Sequence, residues 1–146
     1  MTADATPTDR QAIKQLRAKY CHYFDAQDVN NWMSLFAEGA TISAGDFGEF
    51  TGAEELSLFI DGAFADDPYM SHRVDNPIID IDGDTATGKW YFEAVQRDRS
   101  DGATIRQGRY DERYVRTAEG WKFDRIDIEF DAAIQLGDAD IAVDLL

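Results

Sequence analysis

The sequence predicts an α+β domain in which helices come first and a strongly curved, mainly antiparallel sheet follows. Apolar residues recur every three or four positions up to about residue 64, and every second position from about residue 70 onward. Turn pairs that contain glycine separate the alternating runs, as they do between the strands of hairpins. A bent sheet closed by helices encloses a cone-shaped interior, and the mouth of that cone is where a small ligand would bind.

The first helix is predicted over residues 9–26. Thr8 and Gln11 have the spacing of a capping box, in which each side chain bonds the other residue's backbone N–H. Apolar residues then return at helical intervals at Ile13, Leu16, Tyr20 and Phe24.

Two further helices are expected before the sheet. A short one is predicted over residues 29–36 from the spacing of its apolar residues. A longer one is predicted over residues 53–64, because Thr51 and Glu54 repeat the capping-box spacing ahead of an apolar run.

Four long strands follow, and short turns connect them into an antiparallel meander. The turn pairs are Asp82-Gly83, Asp101-Gly102 and Glu119-Gly120. The predicted strands cover residues 70–82, 85–98, 104–117 and 121–131, and short strands are candidates near 40–44 and 47–50.

Charge narrows the range of partners. The 146 residues include 29 Asp and Glu but only 14 Lys and Arg, so the net charge is −15. Such an acidic chain repels phosphate backbones and anionic lipids, and this argues against nucleic-acid binding and membrane docking. The acidity suits a salt-rich, halophilic cytoplasm, or it serves solubility alone.

We expect a cytoplasmic protein, because no apolar run is long enough to span a membrane and the polar N-terminal residues lack a signal-peptide pattern.

The chain is predicted to form one domain. Residues 1–8 are expected to be a flexible N-terminus, residues 9–131 the folded domain and residues 132–146 a C-terminal tail. The apolar residues of the tail either fray into solvent, close the cone or pack on a neighbouring subunit.

Histidine is the side chain best suited to proton transfer near neutral pH, and the sequence has two. His22 lies about 200° around the helix from Tyr20, so it is expected to be structural or exposed. His72 opens a strand on the face of Met70, Val74 and Asn76, and Asp25 at the end of the first helix is its candidate partner. A carboxylate on one imidazole nitrogen would leave the other nitrogen as a base, although a structural role for each residue stays open.

Aromatic residues share strand faces further along the chain. Tyr110 and Tyr114 lie on one face of their strand, and Trp90 and Phe92 share a face of the strand before it. They either form core, or a tyrosine with a wet hydroxyl donates to an oxyanion.

Other kinds of site lack their usual patterns. With a single cysteine, two histidines and no ligand pairs at metal-binding spacing, we expect no metal site. Nucleophile-elbow, Walker and dinucleotide-binding motifs are missing from the sequence, and we expect no cofactor.

Several motifs together resemble the SnoaL-like family of the nuclear transport factor 2-like superfamily. The first helix contributes Ile13, Leu16, Tyr20 and Asp25, followed by Trp32. The strands contribute Ser71-His72, Asp82-Gly83-Asp84-x-Ala86, Gly108-Arg109-Tyr110 and Gly120-Trp121-Lys122. The resemblance implies a cone-shaped, cystatin-like barrel over residues 9–131.

Within that family the sequence is most similar to the branch of scytalone dehydratase and bile-acid 7-alpha-dehydratase. The segment Ala86-Thr87-Gly88-Lys89-Trp90-Tyr91-Phe92-Glu93 carries much of this likeness. The resemblance implies a cofactor-independent lyase acting on a hydrophobic cyclic hydroxy-carbonyl compound. Matching positions imply catalytic roles for His72, Asp25, Tyr20 and Tyr110, and we expect substrate contacts from Trp32, Trp90, Phe92 and Gln96.

Three positions depart from those dehydratases. Ala44 replaces a further tyrosine, Gln96 stands where scytalone dehydratase has a second histidine, and Phe130 lies about where the bile-acid enzyme has an arginine. An isomerase, a polyketide-cyclase-type enzyme and a non-catalytic binding or assembly protein therefore remain alternatives. The resemblance also implies a homo-oligomer, either dimer or trimer.

Overall fold

The computed structural model describes residues 7–65, 69–97 and 102–136. Within these ranges three helices and six strands follow the predicted order, which confirms the α+β class. The helices are α1 (Asp9–Asp25), α2 (Val29–Met33) and α3 (Gly52–Phe64). The strands are β1 (Phe36–Ser43), β2 (Glu49–Thr51), β3 (Tyr69–Asp82), β4 (Thr85–Arg97), β5 (Ala103–Thr117) and β6 (Gly120–Leu136), with one 3₁₀ turn at Gly45–Phe47.

The six strands form one mixed sheet in the order β2-β1-β6-β5-β4-β3. The meander β3 to β6 is antiparallel, as predicted, whereas β1 and β6 run parallel. The sheet does not close into a barrel, because β2 and β3 are its two edges. Helix α1 packs on β3 and β6 and α3 packs on β1, so the helices cover the concave face.

A bulge in β3 divides that strand into two parts. The register with β4 shifts between Asp75 and Ile78, and Asn76 has a left-handed φ of 54°. The bulge bends the strand and reverses which residues face inward. Before it Met70 is buried, and after it Ile79 is buried. The predicted common face therefore ends before Asn76, which is exposed.

The first helix is built as predicted. Thr8 caps it, and the reciprocal hydrogen bonds between Thr8 and Gln11 complete the capping box. Its buried stripe includes Ile13, Tyr20 and Phe24, so this face supplies both core and part of a cavity. No helix within the described ranges is long and apolar enough to cross a bilayer.

The second capping box does not form. The Thr51 side chain makes no hydrogen bond at the start of α3. Its Oγ1 instead lies 2.9 Å from Thr41 Oγ1 in the paired strand β1. A cross-strand partner has thus replaced the local one.

The last strand is longer than predicted. Residues 132–136 continue β6, because Gln107 pairs with Ala132 and Ala103 pairs with Leu136. The expected C-terminal tail therefore begins inside the sheet. Residues 1–6 and 137–146, which include the rest of both predicted termini, lie outside the described residues.

Candidate active site

A cavity of about 390 Å³ lies between the helices and the concave face of the sheet. Its wall is mainly apolar and aromatic, with contributions from α1, α3 and the four long strands. The polar side chains on this wall are Tyr20, His72, Gln96, Arg106 and Tyr110. A concave apolar space with a few convergent polar groups is the usual form of a small-molecule site.

The structure brings Asp25 and His72 together. Asp25 ends α1, and that helix packs on β3, where His72 lies. Asp25 Oδ1 is 2.6 Å from His72 Nδ1, and Oδ2 accepts the backbone N–H of His72 at 2.9 Å. The His72 side chain is only 8% exposed, and the edge of its ring contacts Phe24. The carboxylate thus occupies Nδ1 and leaves Nε2 as the ring nitrogen available to a ligand.

Tyr20 and Tyr110 line the same cavity from opposite sides, one on α1 and the other on β5. Burial raises the pKa of each hydroxyl above its ordinary value, while the nearby Arg17 acts in the opposite direction. Both phenols therefore keep their protons at neutral pH and can act as hydrogen-bond donors. Tyr110 also stacks on Phe92, with ring centroids 4.5 Å apart.

A buried polar network that was not predicted from the sequence contacts these tyrosines. The Arg17 guanidinium lies 4.2 Å from the Tyr20 ring centroid and 3.8 Å from that of Tyr110. Its Nε is 3.1 Å from Glu112 Oε1, and both side chains are essentially inaccessible to solvent. Arg17 lies four residues after Ile13 and three before Tyr20, so helical spacing already placed it on the buried face.

The network continues on the inward face of the sheet. Tyr114 donates to Glu112, and Trp90 Nε1 donates to the Tyr114 hydroxyl at 2.9 Å. Burial raises the pKa of Glu112, and Arg17 and the Tyr114 hydroxyl oppose this shift. Alternation on β5 placed Glu112 between two inward tyrosines, a position that indicates a buried carboxylate with a partner.

Only two of the four expected substrate contacts line the cavity. Phe92 and Gln96 lie on its wall, whereas Trp32 and Trp90 do not. Trp32 is fully buried among Tyr20, Phe24 and other aromatic rings. Trp90 shares the inward face of β4 with Phe92, as predicted, but lies two residues before it, where its indole N–H donates to the Tyr114 hydroxyl.

Arg106 is a wall residue that was not predicted from the sequence. Its Nε donates to Gln96 Oε1 at 2.7 Å, and its guanidinium carbon lies 5.4 Å from the Phe47 ring centroid. Arg106 is four residues before Tyr110, so alternation could have placed it on the same face. At the three departures from the dehydratase pattern, Gln96 and Phe130 line the cavity and Ala44 is fully buried.

Metal ligation finds no support in the described ranges, where no three His, Cys, Asp or Glu side chains are arranged to hold an ion. His22 is exposed on α1, as expected.

A family model described as a SnoaL-like domain matches residues 5–127. The chain belongs to the SnoaL-like family. This membership confirms the resemblance found in the sequence and supports, at family level, binding of a small hydrophobic molecule. No curated protein matches the chain.

Solved structures of the same fold cover nearly the whole chain. A provisionally named scytalone dehydratase from Novosphingobium aromaticivorans DSM 12444 is 20% identical, with a TM-score of 0.82 over 90% of this chain and 89% of its own. A hexachlorocyclohexane dehydrochlorinase (LinA, type 2) is 16% identical, with a TM-score of 0.83 over 94% and 95%. A protein of unknown function from Nostoc punctiforme, described as having a cystatin-like fold, is 24% identical, with a TM-score of 0.72 over 88% and 96%. At these identities the likeness shows the fold alone.

Proposed function

We propose that the protein is a cofactor-independent lyase that removes water from a hydrophobic, cyclic hydroxy-carbonyl compound. The observation that carries this proposal is the Asp25–His72 pair, because its imidazole lies on the wall of an apolar cavity. Two neighbours with the same fold carry the names of elimination enzymes, a dehydratase and a dehydrochlorinase. Family membership supports the same general kind of ligand.

In the first step His72 acts as the base. Nε2 takes a proton from the carbon alpha to the carbonyl, and the electrons of that C–H bond form an enolate. Asp25 keeps the proton of the neutral ring on Nδ1 and stabilises the imidazolium that forms. Tyr20 and Tyr110 are the cavity donors suited to the enolate oxygen, because burial keeps both phenols protonated.

In the second step the enolate collapses. Its electrons restore the carbonyl and form a carbon–carbon double bond while the bond to the beta hydroxyl breaks. The imidazolium returns its proton to the departing hydroxyl, so water leaves and His72 is neutral again. The whole reaction converts one hydroxy-carbonyl compound into an enone and water, without an external oxidant or reductant.

The test uses small β-hydroxy ketones, beginning with 3-hydroxy-1-tetralone. Loss of water and tautomerisation convert this compound into 1-naphthol, which is followed by absorbance. His72→Ala should reduce the rate by about 10²–10⁴, the usual contribution of a general base. His22→Ala is the matched control, because His22 is exposed and does not lie on the face of α1 that lines the cavity. Full activity in His72→Ala, with an unchanged melting temperature, would contradict the proposal.

An isomerase or polyketide-cyclase-type enzyme is the second candidate, and one observation favours it. Gln96, a neutral amide, occupies the wall where scytalone dehydratase has a histidine, so the cavity offers no second imidazole to protonate a leaving group. Exchange of the alpha protons of 1-tetralone for deuterium in D₂O tests proton abstraction without elimination. Exchange that depends on His72, without water loss from any β-hydroxy ketone, would favour this candidate over the lyase.

A further inference from the structure

The wall of the cavity has the opposite charge bias to the chain as a whole. Acidic residues outnumber basic ones by 29 to 14 in the sequence. Within the described part of the chain, however, none of the residues lining the cavity is Asp or Glu, and one is an arginine. Because the net charge of −15 would repel an anion, a cation on an otherwise apolar wall is a specific local feature.

Arg106 is placed to meet a ligand. It shares the inward face of β5 with Gly108 and Tyr110 and is paired with Ala94 of β4. Its Nε is occupied by the neutral amide of Gln96, which holds the guanidinium plane over Phe47. In the described ranges no carboxylate forms a salt bridge with Arg106, whereas Arg109 on the same strand bonds both Glu129 and Asp131. The two terminal nitrogens of Arg106 thus keep donors for a ligand.

We propose that the cavity binds ligands that carry a carboxylate, and that Arg106 is the residue that recognises it. A planar guanidinium matches a carboxylate with two parallel hydrogen bonds, which are stronger than neutral ones. Gln96 acts as the positioning residue, because it fixes Nε and so the plane of the fork.

The sheet also sets where the carboxylate lies on the ligand. His72, Ala94 and Arg106 form one row across three neighbouring strands, and the small Ala94 leaves the space between the two larger side chains open. Two strand spacings separate the Cα atoms of His72 and Arg106 by roughly 10 Å. This part rests on the proposed function: the acidic carbon at His72 and the carboxylate at Arg106 are expected on opposite edges of the substrate's ring system.

The experiment compares 2-naphthoate with 2-naphthamide, which have nearly the same shape but differ in charge. Isothermal titration calorimetry should show that the wild-type protein binds 2-naphthoate at least about tenfold more tightly, the scale of a charge-assisted hydrogen bond. Arg106→Gln should abolish this preference while leaving the affinity for 2-naphthamide within about twofold. Gln96→Ala should reduce the preference without abolishing it, because the charge remains.

Arg109→Gln is the matched control, because it removes one positive charge from a neighbouring surface position of the same strand. It should leave the preference intact. Absence of 2-naphthoate binding, no preference in the wild type, or a preference that survives in Arg106→Gln would each overturn the proposal. These outcomes concern binding alone, so they are distinguishable from retained dehydration by His72→Ala, which would overturn the proposed reaction.

Discussion

Asp25 holds His72 at two atoms, the backbone nitrogen and Nδ1. Replacing Asp25 by Asn keeps the size of the side chain but removes the charge that stabilises an imidazolium. We expect Asp25→Asn to lower turnover of a β-hydroxy ketone by about 10²-fold or more, because the carboxylate orients the imidazole and fixes its tautomer. Steady-state rates measure the loss, and urea unfolding should show a stability change of at most about 1–3 kcal/mol.

A double variant separates a shared role from two independent ones. If Asp25 acts only through the imidazole, Asp25→Asn combined with His72→Ala should be no slower than His72→Ala alone. A further large drop in the double variant would show that Asp25 acts on the substrate by another route.

The buried pair of Arg17 and Glu112 makes a prediction about stability. Arg17→Met leaves the carboxylate of Glu112 buried beside Tyr114 without its counter-ion. We expect a loss of about 3–5 kcal/mol in the free energy of unfolding at pH 8. The neutral pair Arg17→Met with Glu112→Gln should recover most of that loss, and urea unfolding of the three proteins measures it.

The loss of stability in Arg17→Met should depend on pH in a defined direction. Burial raises the pKa of Glu112, and Arg17 opposes that shift, so removing Arg17 raises this pKa further. A carboxyl whose folded-state pKa is raised favours the folded state while it is protonated, and this contribution is lost as the pH rises through that pKa. The difference in stability between Arg17→Met and the wild type should therefore be smaller at pH 5 than at pH 8. An equal difference at both values would contradict this account, and the double variant should show no such pH dependence.

Among the elements, β5 and β6 pack closely where their register shifts beside Gly108. A Cβ at Gly108 would overlap the backbone oxygen of Glu129 and lie 2.7 Å from the Phe92 ring. We expect Gly108→Ala to cost about 1–3 kcal/mol, because backbone must move to admit a methyl group. Gly62→Ala is the control, since it adds a methyl where nothing lies within 4 Å and should stabilise α3 by up to about 1 kcal/mol. Equal urea midpoints for Gly108→Ala and the wild type would contradict this prediction, because they would show that β5 and β6 admit the methyl group without loss of stability.

Local patterns predicted the elements whose partners are near in sequence. The capping box at Thr8 and the antiparallel pairing of β3 to β6 formed as expected, because each joins segments that are neighbours in sequence. The box at Thr51 did not form, since the hydroxyl of Thr41 in a paired strand took its place. The parallel pairing of β1 with β6 also joins distant segments, and spacing along the chain carries no record of it.

The residues of the candidate site also fall into those that the sequence predicted and those that it did not. Periodicity and the family resemblance pointed to Asp25 and His72, which lie in contact. Arg17 and Arg106 lie on faces that periodicity had identified, but charged residues on such faces are usually taken for surface. Their partners, the buried Glu112 and the half-buried Gln96, lie on other elements, so only the folded chain brings each pair together.

Across the whole molecule, negative charge exceeds what the cations can neutralise. Arg109, Arg116 and Arg125 each contact two carboxylates, yet many exposed acids lie outside any such group in the described residues. Isolated surface pairs contribute little to stability, about 0–1 kcal/mol each. The dominant electrostatic effect at this scale is therefore repulsion among the excess carboxylates.

Salt should consequently stabilise the fold. Raising NaCl from 10 mM to 1 M shortens the screening length from about 30 Å to about 3 Å, which weakens long-range repulsion more than direct ion pairs. We expect the melting temperature to rise by several degrees. In a domain of this size, a gain of 1 kcal/mol in the free energy of unfolding raises the melting temperature by about 3–4 °C. Replacing the exposed Asp61, Asp80 and Asp124 by Asn should raise the melting temperature at low salt and reduce the response to salt. Lys14→Gln, on the exposed side of α1, should do the reverse. A melting temperature that does not depend on salt, or falls as salt is added, would show that surface repulsion does not limit stability. The acidic composition would then serve solubility and not adaptation to a salt-rich cytoplasm.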